Sequence, residues 1–331
     1  VYDVVYEYRD GQDFPKNDGA VLKQLAVAAD DSEFTIDIPL ATLRGTVGFA
    51  PEDEPANPGY DFGRLWLVNP TTGDRIELGN TFDGTYDALV VPGEYEIRYE
   101  ARETQSTAPI NGEGFLTSVW IDKGSNVLDI VVPSVRLDGE LRFDGAPVLS
   151  GYDNGDLELR DIATGDTFLL GETELGEFSI AVLPGRYEVI YTSRDASGGQ
   201  TPLNKGTVVG EVDLSDGKDA TVDIDMQTAT VTGTFRLGGT NPPTEEFDSG
   251  VVSLQDAHGG TVELGYTSSG SYSARVLVAD YDVFYSQTTA GVRMPVNTHA
   301  LLEPLSIGGG DTHDINIPVT EVVGSLTLGG V

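Results

Sequence analysis

The sequence contains no cysteine. A disulfide framework, a zinc–thiolate site and a cysteine nucleophile are therefore ruled out. Basic residues are scarce: 19 Lys and Arg stand against 54 Asp and Glu, and 19 − 54 gives a formal net charge of −35. A surface of that sign repels a phosphate backbone, which excludes nucleic acid as a partner. Long apolar runs are missing too. The longest are pieces such as residues 88–91 (Ala-Leu-Val-Val), far short of the ~18 residues of a membrane helix. No signal-peptide pattern is visible, and a chain opening on Val1 is compatible with removal of a leader. There is no Asn-x-Ser/Thr sequon for N-glycan attachment.

Catalytic signatures are missing as well. Histidines number three, and His258, His299 and His313 all fall in one stretch. No Gly-x-Ser-x-Gly elbow, His-Glu-x-x-His pair or phosphate loop occurs. Paired carboxylates are frequent, but chance alone produces them at this charge. The expectation is that the chain is not an enzyme.

What the chain does have is punctuation. Its 41 Gly and 17 Pro are spread between short runs, and 39% of residues are hydrophobic, which separates it from disordered acidic chains. Alternating apolar and polar residues between turn signals predict an all-β protein, with helix nearly absent.

The runs repeat. Residues 1–6, 94–99, 186–191 and 280–285 share one pattern, whose tyrosines Tyr2, Tyr95, Tyr187 and Tyr281 lie 93, 92 and 94 residues apart. A Pro-x-Asn follows each, at Pro15/Asn17, Pro109/Asn111, Pro202/Asn204 and Pro295/Asn297. A Leu-Gly pair recurs at Leu78, Leu170 and Leu264, and a glycine in an opening run at Gly45, Gly139, Gly233 and Gly324. A period near 93 is too long for a solenoid repeat and fits one β-sandwich domain of ~100 residues. Each unit divides into seven runs. In the second full unit they cover 135–143, 156–160, 167–170, 177–183, 187–193, 207–214 and 220–226. Period two holds inside them: Tyr95, Ile97 and Tyr99 share one face, and Glu94, Glu96 and Arg98 the other.

The predicted organisation is a tandem array. Residues 1–39 hold the last three strands of one unit; 40–133, 134–227 and 228–319 are full sandwiches; 320–331 open a further unit. Both ends look cut, so a longer repeat protein is expected.

Residues 84–97 and 176–189, each a Gly-x-aromatic strand, a Pro-Gly turn and a Tyr-x-Ile or Tyr-x-Val strand, resemble the carboxypeptidase regulatory-like, or transthyretin-like, sandwich repeat. The opening Gly45-Thr46-Val47 fits that family's Gly-x-Val, while Val278-Ala279 departs from its Pro-Gly turn. The resemblance implies tandem seven-stranded Ig-like/transthyretin-like β-sandwich domains. It implies no activity, because such modules occur as stalks, spacers and accessory domains.

Four features are candidates for a role. Tyr95, Tyr187 and Tyr281 read as core markers rather than a stacking platform, and Pro-x-Asn reads as a loop brace. Trp66 and Trp120 have outward parity, aligned with Glu158 and with Asp213, and are candidate contacts for a glycan or protein. The Asp-rich turns at Asp10/Asp13, Asp153/Asp156 and Asp213/Asp216/Asp219 are candidate calcium ligands, the last set foremost. None matches the spaced EF-hand loop, and no other cofactor is expected.

Low Lys and high Asp and Glu suit a salty medium, pointing to an extracellular or cell-surface protein of a marine or halophilic prokaryote. The expected function is structural: a rod-like stalk, spacer or fibre whose partners are neighbouring repeats or copies of itself, head to tail. An adhesin or carbohydrate-binding module using the two tryptophans is the first alternative. Accessory repeats of a secreted hydrolase are the second.

Overall fold

The computed structural model describes residues 1–11, 13–27, 33–50, 62–103, 108–147, 153–196, 199–244, 249–288 and 293–323. Alternation decides its architecture. In the strand Gly93–Glu103, Tyr95, Ile97 and Tyr99 are at most 1% exposed, while Glu94, Glu96 and Arg98 lie on the outer face. A strand with one apolar face must lay it on a second sheet.

Strands β1 (Tyr2–Glu7) and β2 (Asp18–Leu25) form an antiparallel pair. Next come β3 (Ala41–Ala50), β4 (Phe62–Val68), β5 (Arg75–Asn80), β6 (Thr85–Val90), β7 (Gly93–Glu103), β8 (Gly114–Ile121), β9 (Gly124–Val127) and β10 (Ile130–Pro133). They make two sheets. One has the order β5–β4–β7–β8; in the other, β3 lies antiparallel to β6 and parallel to β9 and then β10. Leu43, Leu65, Tyr95, Tyr99, Ile121 and Val132 are buried in the core between them.

The pattern recurs in β11 (Val135–Phe143), β12 (Asp153–Asp161), β13 (Thr167–Glu172), β14 (Glu177–Val182), β15 (Arg186–Ala196), β16 (Thr207–Asp213), β17 (Ala220–Thr221) and β18 (Ile224–Met226). It recurs again in β19 (Thr228–Leu237), β20 (Gly250–Asp256), β21 (Thr261–Tyr266), β22 (Ser271–Leu277), β23 (Ala279–Gln287), β24 (Ala300–Ile307), β25 (Asp311–Thr312) and β26 (Ile315–Ile317). Among the described residues, helix is limited to the single 3-10 turns Thr81–Asp83, Thr173–Leu175 and Thr267–Ser269.

The seventh run of each unit differs from expectation. It is split, as β9/β10, β17/β18 and β25/β26, with the same register on the opening strand before and after the break. At the break a carbonyl lies over the opening-strand glycine. A Cβ on Gly45, Gly139 or Gly233 would stand 1.8, 2.0 or 1.9 Å from the carbonyl oxygen of Leu128, Val222 or His313. The next residue is an aspartate that accepts the neighbouring backbone N–H: Thr46 to Asp129 at 2.9 Å, Glu140 to Asp223 at 3.1 Å and Thr234 to Asp314 at 2.8 Å. The Thr46 and Thr234 bonds hold Asp129 and Asp314 below the usual carboxylate range.

The ends differ as well. Of three strands expected in 1–39, β1 and β2 form, and residues 33–40 carry no strand. In the full sandwiches the equivalent segment pairs in parallel with the unit's own opening strand, and the described residues of 1–39 contain no such strand. Tyr2, at the repeat position of Tyr95, is 67% exposed. Residues 320–323 carry no strand, and Gly324 with the rest of the expected opening strand lies outside the described residues.

Candidate functional site at the junctions

Successive sandwiches are attached twice. The first attachment is covalent and short. Only Ser134 separates β10 from β11, and only Gln227 separates β18 from β19.

The second attachment is the Pro-x-Asn loop. Its proline carbonyl is held inside its own unit by the second tyrosine of the repeat: Tyr6, Tyr99 and Tyr191 donate to Pro15, Pro109 and Pro202 at 3.0, 2.8 and 2.9 Å. The asparagine points the other way, into the following unit. Asn17, Asn111 and Asn204 are 0, 1 and 0% exposed. Their Oδ1 atoms accept the N–H of Val91, Leu183 and Leu277 at 2.7, 2.7 and 2.8 Å. Their Nδ2 groups donate to the phenol oxygens of Tyr95, Tyr187 and Tyr281 at 2.9, 3.2 and 2.9 Å. Each phenol in turn donates to the carbonyl of the same turn residue, at 2.6, 2.5 and 2.7 Å. Burial pushes these three tyrosines up to about 12, against the opposing pull of the asparagine amide.

Two further contacts complete each junction. The residue between Pro and Asn donates its backbone N–H across it: Lys16 to Leu89, Ile110 to Ala181 and Leu203 to Arg275, at 2.8, 2.9 and 2.9 Å. A carboxylate braces the first two, Asp74 accepting from Asp18 N at 2.8 Å and Asp166 from Glu113 N at 2.6 Å. At the third junction Lys205 and Thr261 exchange backbone bonds at 2.8 Å instead.

Apolar side chains cross in both directions. Leu183 is part of the core of the sandwich before it, and Leu277 likewise. Ile110 and Leu203 pack against the cores that follow. Burying one such leucine contributes roughly 1.5–3 kcal/mol.

The loop reading of Pro-x-Asn thus needs correction: the asparagine side chain braces the neighbouring unit, and Asn204 in addition donates to Thr207 of its own unit at 3.2 Å. The side chains of Ile110, Leu203 and Val296 were the available signal, being apolar at the centre of a long connection.

The two tryptophans sit in different surroundings. Trp66 is half-buried. Its Nε1 donates to Glu100 at 2.5 Å, and the Arg75 and Arg64 guanidinium carbons lie 4.6 and 5.6 Å from its ring centre. Its outward parity is therefore covered by arginine. Trp120 is 66% exposed and donates to Asp122 at 3.1 Å. In register Trp66 faces Arg98, and Trp120 faces Glu94 on the other side of β7. Two strand spacings and four residues of rise put their Cα atoms roughly 16 Å apart.

Asp213 and Asp216 serve the 213–219 turn itself, while Asp219 reaches across to the opening strand β11. Asp213 accepts Ser215 N and Oγ at 3.0 and 2.5 Å, and Asp216 pairs with Lys218 at 2.8 Å. Asp219 accepts Arg136 N at 2.8 Å. Hydrogen bonds from Ser215 and from Lys218 hold Asp213 and Asp216 below the usual carboxylate range. Among the described residues no group of three or more His, Asp or Glu is placed to hold a metal ion.

No family model matches the chain, and no curated protein matches it. Among solved structures it is similar to the Bacillus anthracis TIE protein (11% identity, 85% of this chain and 51% of that one, TM-score 0.24). It is also similar to a streptococcal ancillary pilin (11%, 84% and 98%, 0.24) and to BcpA, the major pilin subunit of Bacillus cereus (12%, 84% and 99%, 0.19). The chain thus spans about half the length of the TIE protein. At these identities and TM-scores none of the three carries a functional reading, which rests instead on the junctions.

Proposed function

We propose that the chain is a structural segment of a secreted or cell-surface prokaryotic protein. It is a stalk, spacer or fibre of transthyretin-like sandwiches, divided at 40–133, 134–227 and 228–319. The supporting observation is the double attachment. A single-residue linker alone leaves a hinge. A buried asparagine tying a turn N–H and a phenol of the next unit removes that freedom and transmits load between neighbours. The alternating charged and apolar faces and the Pro-Gly or equivalent turn support the repeat assignment. Small-angle X-ray scattering of the full chain tests the reading. An extended, rod-type distance distribution is expected, and Asn111→Ala with Asn204→Ala should broaden it. A compact profile, or one indifferent to both substitutions, overturns it.

A further inference from the structure

Three of the four Pro-x-Asn loops receive a following sandwich, and the fourth is built in the same pose. Tyr285 donates to the Pro295 carbonyl at 3.0 Å, as Tyr6, Tyr99 and Tyr191 do to theirs. Gln287 N donates to the Asn297 carbonyl at 2.8 Å, matching Tyr8 to Asn17 at 2.8 Å, Ala101 to Asn111 at 2.9 Å and Ser193 to Asn204 at 2.7 Å. The Tyr285 hydroxyl and the Gln287 N–H therefore hold the loop in the docking conformation, with none of the described residues docked on it. What differs is the side chains. Val296 is 78% exposed, at the repeat position where Ile110 and Leu203 pack into a core, and Asn297 is exposed where its three counterparts are buried.

We propose that Pro295, Val296 and Asn297 form the open half of a fourth junction, whose occupant is one more sandwich unit of this repeat. The inference rests on the reading of the chain as an array. The occupant is defined by three demands that the closed junctions display. Asn297 Oδ1 needs the N–H of a turn residue in the place of Leu277. Asn297 Nδ2 needs a phenol oxygen in the place of Tyr281. The Val296 N–H needs a carbonyl two residues before the turn, as Arg275 supplies for Leu203. A sandwich of this repeat presents all three at one end, already organised by the bond from tyrosine to turn carbonyl. Preorganisation on both sides lowers the ordering cost of association.

The test extends the full chain, joining a second copy of residues 228–317 after Pro318. Hydrogen exchange is followed at the turn amide of the added unit that corresponds to Leu277. Asn297→Ala should speed its exchange about tenfold, since it removes the acceptor of a buried amide. The control is Asn204→Ala in the unextended chain, read at Leu277 itself. If Asn204→Ala speeds Leu277 but Asn297→Ala leaves the added unit unchanged, the fourth junction is refuted and the array stands. If neither substitution has an effect, the array reading fails with it. Failure of the added unit to protect its own core amides beside Pro318, while 228–317 protects them in place, also counts against the proposal.

Discussion

Substitution at one glycine and tolerance at another follow from the same repeat. Gly139 lies beneath the Val222 carbonyl, and a Cβ would meet that backbone oxygen at 2.0 Å. Backbone on both sides leaves little room to give. Gly139→Ala is expected to destabilise the second sandwich by about 1–3 kcal/mol, as overpacking does, measurable by denaturant unfolding. Gly93 is the contrast. It follows the turn proline, yet a Cβ there would meet only a Tyr95 ring carbon at an ordinary 3.7 Å. Its φ is not among the positive ones, so the conformation suits other residues. Gly93→Ala should stay within about 0.5 kcal/mol of the parent. The third unit makes that exchange naturally, with Val278-Ala279 where the others have Pro-Gly. Its Val278 N–H donates to Gln227 O at 2.9 Å, a bond that Pro92 and Pro184 cannot make. The departure from the Pro-Gly of the first two full units is thus a different bracing of the same turn.

The strand of the paired tyrosines is the element on which core and junction meet, so it sets the alkaline behaviour. Tyr95, Tyr187 and Tyr281 stand at about 12 in the folded chain, as do Tyr86 and Tyr272, all chiefly through burial. A free tyrosine titrates near 10. A raised folded value means that the fold favours the neutral phenol. The stabilisation is complete below about pH 10 and is lost as pH climbs from about 10 to about 12. Denaturation midpoints are expected to be level in mildly alkaline buffer and to fall steeply across that window. Phenolate absorbance should appear together with unfolding. Titration of these phenols near 10 in a chain that stays folded would contradict the burial argument. The positions of these tyrosines were legible in the sequence, because alternation assigns each residue of a strand to a face. What they bind was not. Their asparagine partners lie 78, 76 and 77 residues away, in the preceding unit. A repeat aligns equivalent positions without saying which neighbour each one faces. The split of the seventh strand was hidden for a related reason. Val222, Ile224 and Met226 keep their alternation through the break, and only the Asp-Ile at 129–130, 223–224 and 314–315 marks it. The tryptophans show the converse limit, since parity placed Trp66 outward without showing that Arg75 would cover it.

At the scale of the whole molecule, charge and salt decide stability together. Fifty-four acidic residues face 19 basic ones, so 54 − 19 leaves an excess of 35 negative charges however the pairs are arranged. The arginines are already engaged locally: Arg98 with Glu96 and Glu113 at 2.7 and 2.8 Å, and Arg194 with Asp156 and Glu172 at 2.6 and 2.9 Å. These pairs lie at the surface and contribute little, so their weakening by salt is small. Repulsion within the excess negative charge is longer in range and larger in sum. Screening shortens it from about 10 Å at 0.1 M salt to about 3 Å at 1 M. The net effect of salt is then stabilising. Thermal midpoints are expected to rise from low to molar NaCl, and a flat or falling series would show that local pairs outweigh the overall charge. Calcium at matched ionic strength separates a site from an atmosphere. Asp213 and Asp216 each serve a hydrogen bond of their turn and Asp219 accepts the Arg136 N–H of β11, so calcium is expected to add nothing beyond its ionic strength. A further rise that Asp213→Asn and Asp219→Asn abolish would mean that the turn rearranges to chelate, with carboxylates leaving Ser215 and Arg136 for the ion.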